Sequence, residues 1–324
     1  MSDLASIYPA TGSERNKWVE ARRGDRAPLD PQRPYAYLVE EERSASGEVV
    51  PVATIFLTNR ECPWRCVMCD LWRNALDRTI PAGAVPSQIE YALSRLPPAR
   101  QVKLYNSGSF FDPRAVPPVD YKAISRIVRH FDRVIVECHP ALVGESSLRF
   151  RDLLGGGLEV AMGLETAHPE ILAKLNKRMT LEQFASSAQF LRKNSIDLRG
   201  FILVQPPFMR PEEALHWAER SLDFAFECGA TAASLIPTRG GNGAMETLEA
   251  NGEFVPPRMQ LVEAAASYGL GLRRGRVFVD LWGLSSGPSN CFVCHSQRVE
   301  RLSHMNMSQR PLPEVFCAAC GSAA

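Results

Sequence analysis

Three cysteines, Cys62, Cys66 and Cys69, stand at C-x3-C-x2-C spacing directly after an apolar stretch with strand character at 53–59. Thiolates grouped in this way can bind three irons of a cubane iron–sulfur cluster. No fourth cysteine lies nearby, so one iron would stay open, like the vacant position of a catalytic metal site. A zinc site lacking one ligand and incidental core thiols are the alternatives, although zinc knuckles favour C-x2-C pairs. The motif therefore predicts an iron–sulfur centre with an open coordination position.

Four more cysteines form two C-x2-C pairs near the end of the chain, Cys291 with Cys294 and Cys317 with Cys320. The two pairs are separated by 22 residues. Four thiolates complete a tetrahedral zinc site and leave no open position, so such a metal would be structural. A second iron–sulfur cluster is the alternative, because it takes the same ligands. We favour zinc for this site.

The composition is that of an ordinary globular protein, with 324 residues, 45% hydrophobic and 23% charged, and a formal net charge of +1. This charge neither requires nor excludes a nucleic acid partner, because a local basic patch is enough. Arg298, Arg301 and Arg310, between the two cysteine pairs, predict such a patch, with solvated surface charge as the alternative. The nine cysteines, with no apparent secretory signal and no apolar run of about 18 residues, lead us to expect a cytoplasmic metalloprotein without membrane contact.

Strand-like and helix-like segments alternate after the first cysteine group, which predicts a parallel sheet with right-handed crossovers. Six β/α units can be counted, and a hairpin with its turn at 44–47 precedes them. The predicted fold class is therefore α/β, a partial (β/α)6 barrel. We predict three parts: an N-terminal extension with the hairpin (1–50), the barrel (51–280) and a C-terminal four-cysteine module (281–324).

The working side chains of a β/α barrel lie at the carboxyl ends of its strands. Carboxylates at those ends accept hydrogen bonds from hydroxyl or ammonium groups of a ligand. Without reference to any family, this rule selects Asn106, Ser107, Gly108, Ser109, Glu137, His139, Glu165, Gln205 and Arg239. We expect these residues to surround one site together with the three cysteines.

The cysteine motif on a loop after the first barrel strand resembles the radical S-adenosylmethionine (radical SAM) superfamily, over roughly residues 50–240. Met68 stands where many members have an aromatic residue. The resemblance implies a [4Fe–4S] cluster whose open iron binds the amino and carboxylate groups of S-adenosylmethionine (SAM). It also implies reductive cleavage of SAM to methionine and a 5′-deoxyadenosyl radical. No catalytic residue is assigned beyond the cluster.

The same resemblance implies which residues contact SAM. The turn at 106–109 stands where the superfamily carries a Gly-Gly-Glu-type motif for the SAM amino group, here without the acidic residue. The stretches 162–166 and 175–178 are similar to the subfamily that includes the Elongator-type enzymes, which implies that Lys177 or Arg178 contacts the SAM carboxylate. The expected SAM contacts are Asn106, Ser107, Gly108, Ser109, Glu137, Glu165, Lys177, Arg178 and Gln205.

Longer stretches resemble a narrower family, the radical SAM subunit of archaeosine synthase: 105–114, 163–166, the turn at 206–208 and the paired cysteines near the end. The resemblance implies cleavage of the lysine C–N bond of a lysine-modified 7-deazaguanine in tRNA, which leaves archaeosine. It also implies an electron donor and a partner enzyme that transfers the lysine. We assign Asp112, His139 and Arg239 to the substrate.

The stretch 236–241 departs from what this family leads us to expect, and it belongs to the predicted substrate pocket. Radical chemistry on another nucleoside, a peptide or a small molecule is therefore the alternative among enzymes. Outside enzymes, the alternative is a non-catalytic RNA-binding protein that holds a cluster and zinc.

Overall fold

A computed structural model describes residues 6–284 and 291–320, and one eight-stranded sheet runs through it with its strands adjacent in chain order. The strands are β1 (Ala36–Arg43), β2 (Val49–Leu57), β3 (Gln101–Asn106), β4 (Arg133–Glu137), β5 (Gly157–Glu165), β6 (Asp197–Val204), β7 (Ala232–Pro237) and β8 (Arg276–Val279). The β1–β2 pair is antiparallel, as a hairpin requires, and all later pairs are parallel. The predicted α/β partial barrel is confirmed, and β8 adds a seventh parallel strand to the six predicted.

The helices alternate with these strands over most of the chain. They are α1 (Gly12–Glu20), α2 (Ala84–Leu93), α3 (Tyr121–Val128), α4 (Glu145–Arg151), α5 (Pro169–Lys174), α6 (Leu181–Lys193), α7 (Ala214–Glu227), α8 (Ala244–Ala250), α9 (Met259–Leu272) and α10 (His295–Ser308). Thr180 shows how the sequence starts one of them, since its hydroxyl accepts a hydrogen bond from the Gln183 N–H at 3.2 Å and so satisfies an amide of the first turn. None of the described helices combines the length and apolarity needed to cross a membrane.

The two faces of the sheet differ in character. The face toward the helices is apolar: Ile55 and Leu57 of β2 and Leu104 of β3 are fully buried in one core cluster. Alternate residues of a strand point to the opposite face, and on that inner face Lys103 of β3 and Arg199 of β6 are buried instead. The sheet therefore curls around a polar interior rather than a purely apolar one.

A network of buried ion pairs fills the interior at the amino ends of the strands. Glu42 of β1 accepts from Lys103 Nζ at 2.6 Å and from Arg199 Nη2 at 2.5 Å. Glu159 of β5 accepts from Arg199 Nε at 2.6 Å and from Arg276 Nη2 at 2.8 Å. Burial alone would raise the pKa of Glu159, but the two arginines hold it at about 2. The network joins β1 to β5, β6 and β8 and closes this end of the barrel.

Helix α10 covers the outer edge of β8. The Asn306 side-chain amide accepts from the Val279 N–H at 2.8 Å and donates to the Val279 carbonyl at 2.9 Å. Gln309 makes the same pair of bonds to Val277, at 2.7 and 2.8 Å. These amides take the place of a neighbouring strand and protect an edge that would otherwise be open to pairing. The predicted division into parts at 50 and 280 stays a prediction, and α10 shares in the barrel edge.

Candidate active site and metal centres

The first three cysteines lie on the loop that leaves the carboxyl end of β2. The Cys69 N–H donates to the Cys66 carbonyl at 3.2 Å, which forms a tight turn, and burial raises the pKa of the Cys66 thiol to about 12. Among the described residues, these three are not a group whose ligand atoms all lie within 4.8 Å of one another. The spacing therefore does not suit a single ion, and it is compatible with the larger cubane cluster.

Two buried asparagines clamp this loop from distant parts of the chain. Asn176, just after α5, donates from Nδ2 to the Arg65 carbonyl at 2.8 Å. Asn242, just before α8, donates from Nδ2 to the carbonyls of Val67 and Cys69, at 2.8 and 3.2 Å. Sequence analysis missed both asparagines as parts of the site, because an amide in a loop carries no spacing signal until the fold brings it to its acceptor.

The predicted SAM-binding turn at 106–109 packs directly under the cysteine loop. A Cβ atom on Gly108 would stand 2.8 Å from the Cys62 Cβ, so only glycine permits this close approach. The Ser109 hydroxyl accepts from the His139 N–H at 2.6 Å and so ties the ends of β3 and β4 together. The turn at 106–109 and the cysteine loop therefore pack against each other directly. Their side chains were expected to lie in one site.

Asn106 and Glu137 close neighbouring strands within this unit. The Asn106 N–H donates to Glu137 Oε2 at 3.0 Å. Both polar atoms of the Asn106 side-chain amide are buried and have no partner among the described residues. A buried amide without partners is costly in a folded protein, so it indicates a place for a ligand or an ordered water. Burial raises the pKa of Glu137 to about 8, so at neutral pH this carboxyl is mostly protonated and can donate.

Glu165 and Lys177 form a buried ion pair beside the cysteines. A Cβ on Gly163 would come within 2.1 Å of both Glu165 Oε1 and Lys177 Nζ, so the pair needs a glycine at that point of β5. Burial would lower the pKa of Lys177, but Glu165 and the nearby thiols Cys66 and Cys62 raise it. A permanent positive charge therefore faces the cysteine loop and would compensate thiolate charge there.

His139 has both ring nitrogens and one ring face engaged. Its Nδ1 accepts from the Ala141 N–H at 3.1 Å, and its Nε2 lies 3.1 Å from the Lys177 carbonyl, which assigns the ring proton to Nε2. Its ring stacks on Trp64 of the cysteine loop at 3.6 Å. Burial, together with the charge of Lys177, lowers the pKa of His139 to about 3, so the ring is neutral. A substrate contact by His139 stays a prediction.

The remaining predicted contacts are placed as follows. Gln205 donates from Nε2 to the Val255 carbonyl at 2.7 Å. Asp112 holds Arg114 through two bonds of 3.1 and 3.0 Å. Arg178 is exposed, and its guanidinium lies 3.5 Å from the Gly12 carbonyl of α1. The ligand roles assigned to these residues stay predictions.

A cavity of about 80 Å³ opens beside the cysteine loop. Its lining combines the loop with the ends of β6 and β7: Met68, Asp70, Leu203, Ile236, Pro237, Thr238, Arg239 and Gly240. Arg239 Nη1 lies 3.5 Å from Asp280 Oδ2 and 2.5 Å from the Trp282 carbonyl. Sequence analysis missed Asp280 because the strand before it, β8, has only four residues and was not among the six predicted strands.

The C-terminal cysteines form a compact site. The sulfurs of Cys291, Cys294, Cys317 and Cys320 all lie within 4.8 Å of one another. Cys291 Sγ is 3.9 Å from Cys317 Sγ, and Cys294 Sγ is 3.9 Å from Cys320 Sγ. Four sulfurs at these separations can all reach one tetrahedral ion, so the predicted four-cysteine metal site is formed.

The predicted basic surface between the cysteine pairs is wrong for two of its three arginines. Arg298 and Arg301 are buried and both pair with Glu263 of α9. Arg298 also donates from Nε to Cys294 Sγ at 3.2 Å. Arginines on α10 thus face inward because the thiolates and the carboxylate need positive partners in a buried setting.

Comparison with known proteins supplies relatives and a fold, although no family model matches the chain. The chain is 24% identical over 301 residues to an uncharacterized protein of Methanocaldococcus jannaschii, covering 86% of this chain and 82% of that protein. It is 25% identical over 281 residues to archaeosine synthase subunit beta of Methanosarcina acetivorans, covering 82% of this chain and 81% of that subunit. Among solved structures, Elp3 of Methanocaldococcus infernus superimposes with a TM-score of 0.51 at 13% identity, covering 69% of this chain and 59% of Elp3.

The chain shares the α/β partial-barrel fold of Elp3 over 69% of its length. It is also related to archaeosine synthase subunit beta, as the sequence motifs predicted. Three features of the residues around the cysteine loop bear on the cofactor that this site could hold. Among the described residues the three cysteines do not form a single-ion group, Lys177 faces them, and the Asn106 amide is unpaired beside them. The donor set therefore fits an open [4Fe–4S] cluster with a polar ligand next to it.

Proposed function

We propose that the protein is a radical SAM enzyme of tRNA modification. It holds a [4Fe–4S] cluster through Cys62, Cys66 and Cys69 and cleaves the lysine C–N bond of a lysine-modified 7-deazaguanine in tRNA. The nitrogen stays on the base as the amidine of archaeosine. The observation that carries this proposal is the three-cysteine loop with no fourth cysteine near it in the sequence, in a chain 25% identical to archaeosine synthase subunit beta.

The cluster and SAM together would supply a 5′-deoxyadenosyl radical that abstracts hydrogen from an unactivated carbon, and the chain's own residues position and enclose the reactants. The unpaired Asn106 amide and the protonated Glu137 offer hydrogen bonds to a polar ligand. Lys177 balances the charge of the thiolates while Glu165 orients it. The asparagines 176 and 242 keep the loop in place, which favours a fixed geometry of the reacting groups.

We assign zinc to the four-cysteine site. With zinc–sulfur bonds of about 2.3 Å, the sulfurs of a tetrahedral site lie roughly 3.8 Å apart. Two of the six sulfur–sulfur separations are 3.9 Å and match that edge, and all six lie within 4.8 Å, which is short for a cubane cluster. Elemental analysis of the protein purified without added metal should find about one zinc per chain. Two iron–sulfur clusters per chain after reconstitution would instead support the auxiliary cluster.

The proposed reaction requires other components. The name of the relative, a subunit beta, supports a partner subunit, which we assign to the transfer of lysine onto the base. A one-electron donor must reduce the cluster, and the substrate is tRNA in the cytoplasm.

The test uses anaerobically reconstituted protein with dithionite, SAM and tRNA that carries the lysine adduct. We expect 5′-deoxyadenosine and archaeosine to form together, and tRNA without the adduct serves as the matched control. Release of 5′-deoxyadenosine without C–N cleavage would overturn the substrate assignment and retain the radical enzyme. No 5′-deoxyadenosine under any condition would favour the non-catalytic RNA-binding protein.

A further inference from the structure

Residues 280–284, which follow β8, lie at the mouth of the barrel. Trp282 is 52% exposed, although it is large and apolar. Its indole lies 5.7 Å from the ring of Phe56, the residue before the last of β2, at the end of the strand that leads into the cysteine loop. Phe56 belongs to the inner face, because it also contacts Tyr105 at 6.3 Å, above Lys103 on the same strand. Trp282 therefore joins the two ends of the open sheet from inside the mouth.

The rings below Trp282 form a continuous aromatic layer. Tyr105 contacts Phe201 of β6 at 6.2 Å, and Tyr35 contacts Phe56 at 5.6 Å. The charged network lies beneath this layer, around Lys103 and Arg199. A planar group that enters the mouth would find an aromatic face on Trp282 and further rings below it. Proteins bind unstacked nucleobases in such settings, by stacking on aromatic side chains.

Asp280 stands two residues before Trp282 and offers an acceptor at the same mouth. Its Oδ1 accepts from the Trp282 N–H at 2.9 Å, which fixes the tryptophan relative to the carboxylate. Its Oδ2 is 3.5 Å from Arg239 Nη1, a long contact that leaves this oxygen able to accept a closer donor. The Asp280 side chain is 25% exposed, and it adjoins the cavity that Arg239 lines.

The chemistry of these two groups matches one kind of base. A guanine-type base presents two adjacent donors, N1–H and the 2-amino group, on its Watson–Crick edge, and a carboxylate has only acceptors. Replacing N7 by carbon does not change that edge. A modification attached to the five-membered ring, on the other side of the base, would then point away from Asp280 and toward the remainder of the site.

We propose that Asp280 and Trp282 read the 7-deazaguanine base, with Trp282 stacked on its face and the Asp280 carboxylate accepting from N1–H and the 2-amino group. This inference rests on the proposed function and adds the residues that recognise the base. It requires the target nucleotide to leave the tRNA stack, as in other enzymes that act on a base.

The test compares Asp280→Asn and Trp282→Ala with two control variants, Asp152→Asn and Val119→Ala, which change exposed residues on other parts of the chain. Binding of lysine-adduct tRNA should weaken about 10- to 100-fold in Asp280→Asn, as for loss of a hydrogen bond to a charged group. It should weaken about 5- to 100-fold in Trp282→Ala through lost stacking. Binding of the adduct tRNA and release of 5′-deoxyadenosine should both stay at the wild-type level in the two control variants, whose changes lie away from the mouth of the barrel.

A second substrate identifies the contact: the same adduct tRNA whose modified base lacks the 2-amino group. It should bind wild type more weakly than the complete substrate, but Asp280→Asn should bind both alike. The inference would be overturned if removal of the 2-amino group lowered the affinity of wild type and of Asp280→Asn by the same factor. So would an Asp280→Asn defect that disappears only when the lysine α-amino group is removed, since Asp280 would then contact the lysine. If wild type binds the adduct tRNA but does not cleave it, the proposed function fails while the binding comparison still decides on the base contact. If wild type does not bind it, both fail.

Discussion

The cysteine loop and the four-cysteine site use the same ligand in different settings. The four-cysteine site is built from two C-x2-C pairs, Cys291 with Cys294 and Cys317 with Cys320. Each sulfur of the first pair lies 3.9 Å from one sulfur of the second pair. The sulfurs of the cysteine loop come from a single turn and are not drawn within 4.8 Å of one another. Two cysteine pairs that face each other can fill all coordination positions of a metal ion. A single loop supplies ligands on one side of a metal centre and leaves the other side accessible.

The two sites are also supported differently. At the four-cysteine site, Arg298 contacts a ligand sulfur directly, and Glu263 holds that arginine from α9. At the cysteine loop, the asparagines hold backbone carbonyls, and the charge of Lys177 is set by Glu165. Support through the backbone leaves the sulfurs and the space next to them free for chemistry. This difference agrees with the proposed function, in which one centre is structural and the other reactive.

The largest difference between the sites should appear on removal of one ligand from the loop. Cys66→Ser should reduce 5′-deoxyadenosine release about 100-fold or more, because two thiolates do not retain the cluster. Cys228→Ser, at a half-buried cysteine after α7, is the matched control and should behave like wild type. Both are measured after identical anaerobic reconstitution, together with bound iron. Retained activity in Cys66→Ser would remove the distinction between the two sites.

A ligand of the closed site should affect stability more than chemistry. Cys294→Ser should lower the free energy of unfolding by more than about 2 kcal/mol, because metal loss releases the start of α10. The same helix covers β8 through Asn306 and Gln309, so the edge of the barrel loosens with it. Denaturant unfolding gives the free energy, and 5′-deoxyadenosine release per folded molecule should stay near the wild-type rate. Unchanged stability would show that the site does not hold α10.

A third prediction concerns the packing under the open site. Gly108→Ala places a Cβ 2.8 Å from the Cys62 Cβ and should displace the cysteine loop, at about 1–3 kcal/mol of stability and with reduced cluster content. Gly271→Ala, in α9, has no atom within 4 Å of the added Cβ and should be stabilising by about 0.5–1 kcal/mol. Bound iron and unfolding free energy are measured for both. Equal iron content in the two variants would contradict the packing requirement.

The two groups of cysteines could be recognised from the sequence as candidate metal ligands, because the spacing within each motif is short. The strand ends also led to Asn106, Glu137 and Glu165, since a parallel sheet brings its carboxyl ends to one edge. The clamps Asn176 and Asn242 were not readable, because their acceptors lie more than a hundred residues away in the chain. The sequence also failed to identify charged residues that are buried, because their charge suggested a position on the surface.

Arg276 and Arg298 illustrate that second limit. Each lies in an arginine-rich stretch, which in most proteins is solvated. The structure buries both, because Glu159 and Glu263 meet them from other elements. Burial of a charge depends on a partner brought by the fold, so composition cannot predict it.

The last prediction concerns the pH dependence of stability and Glu137, beside the open site. Its folded pKa is about 8 and its ordinary value 4.5, so between these only the folded chain holds the proton. Stability must then fall as the pH rises through this window, by at most about 1.4 kcal/mol per pH unit. Glu137→Gln removes this contribution, whereas Glu145→Gln, at an exposed side chain, keeps it.

Unfolding free energies of the cluster-free proteins between about pH 5.5 and 7.5 test this slope. Wild type and Glu145→Gln should lose stability relative to Glu137→Gln as the pH rises, and parallel curves would contradict a raised pKa at Glu137.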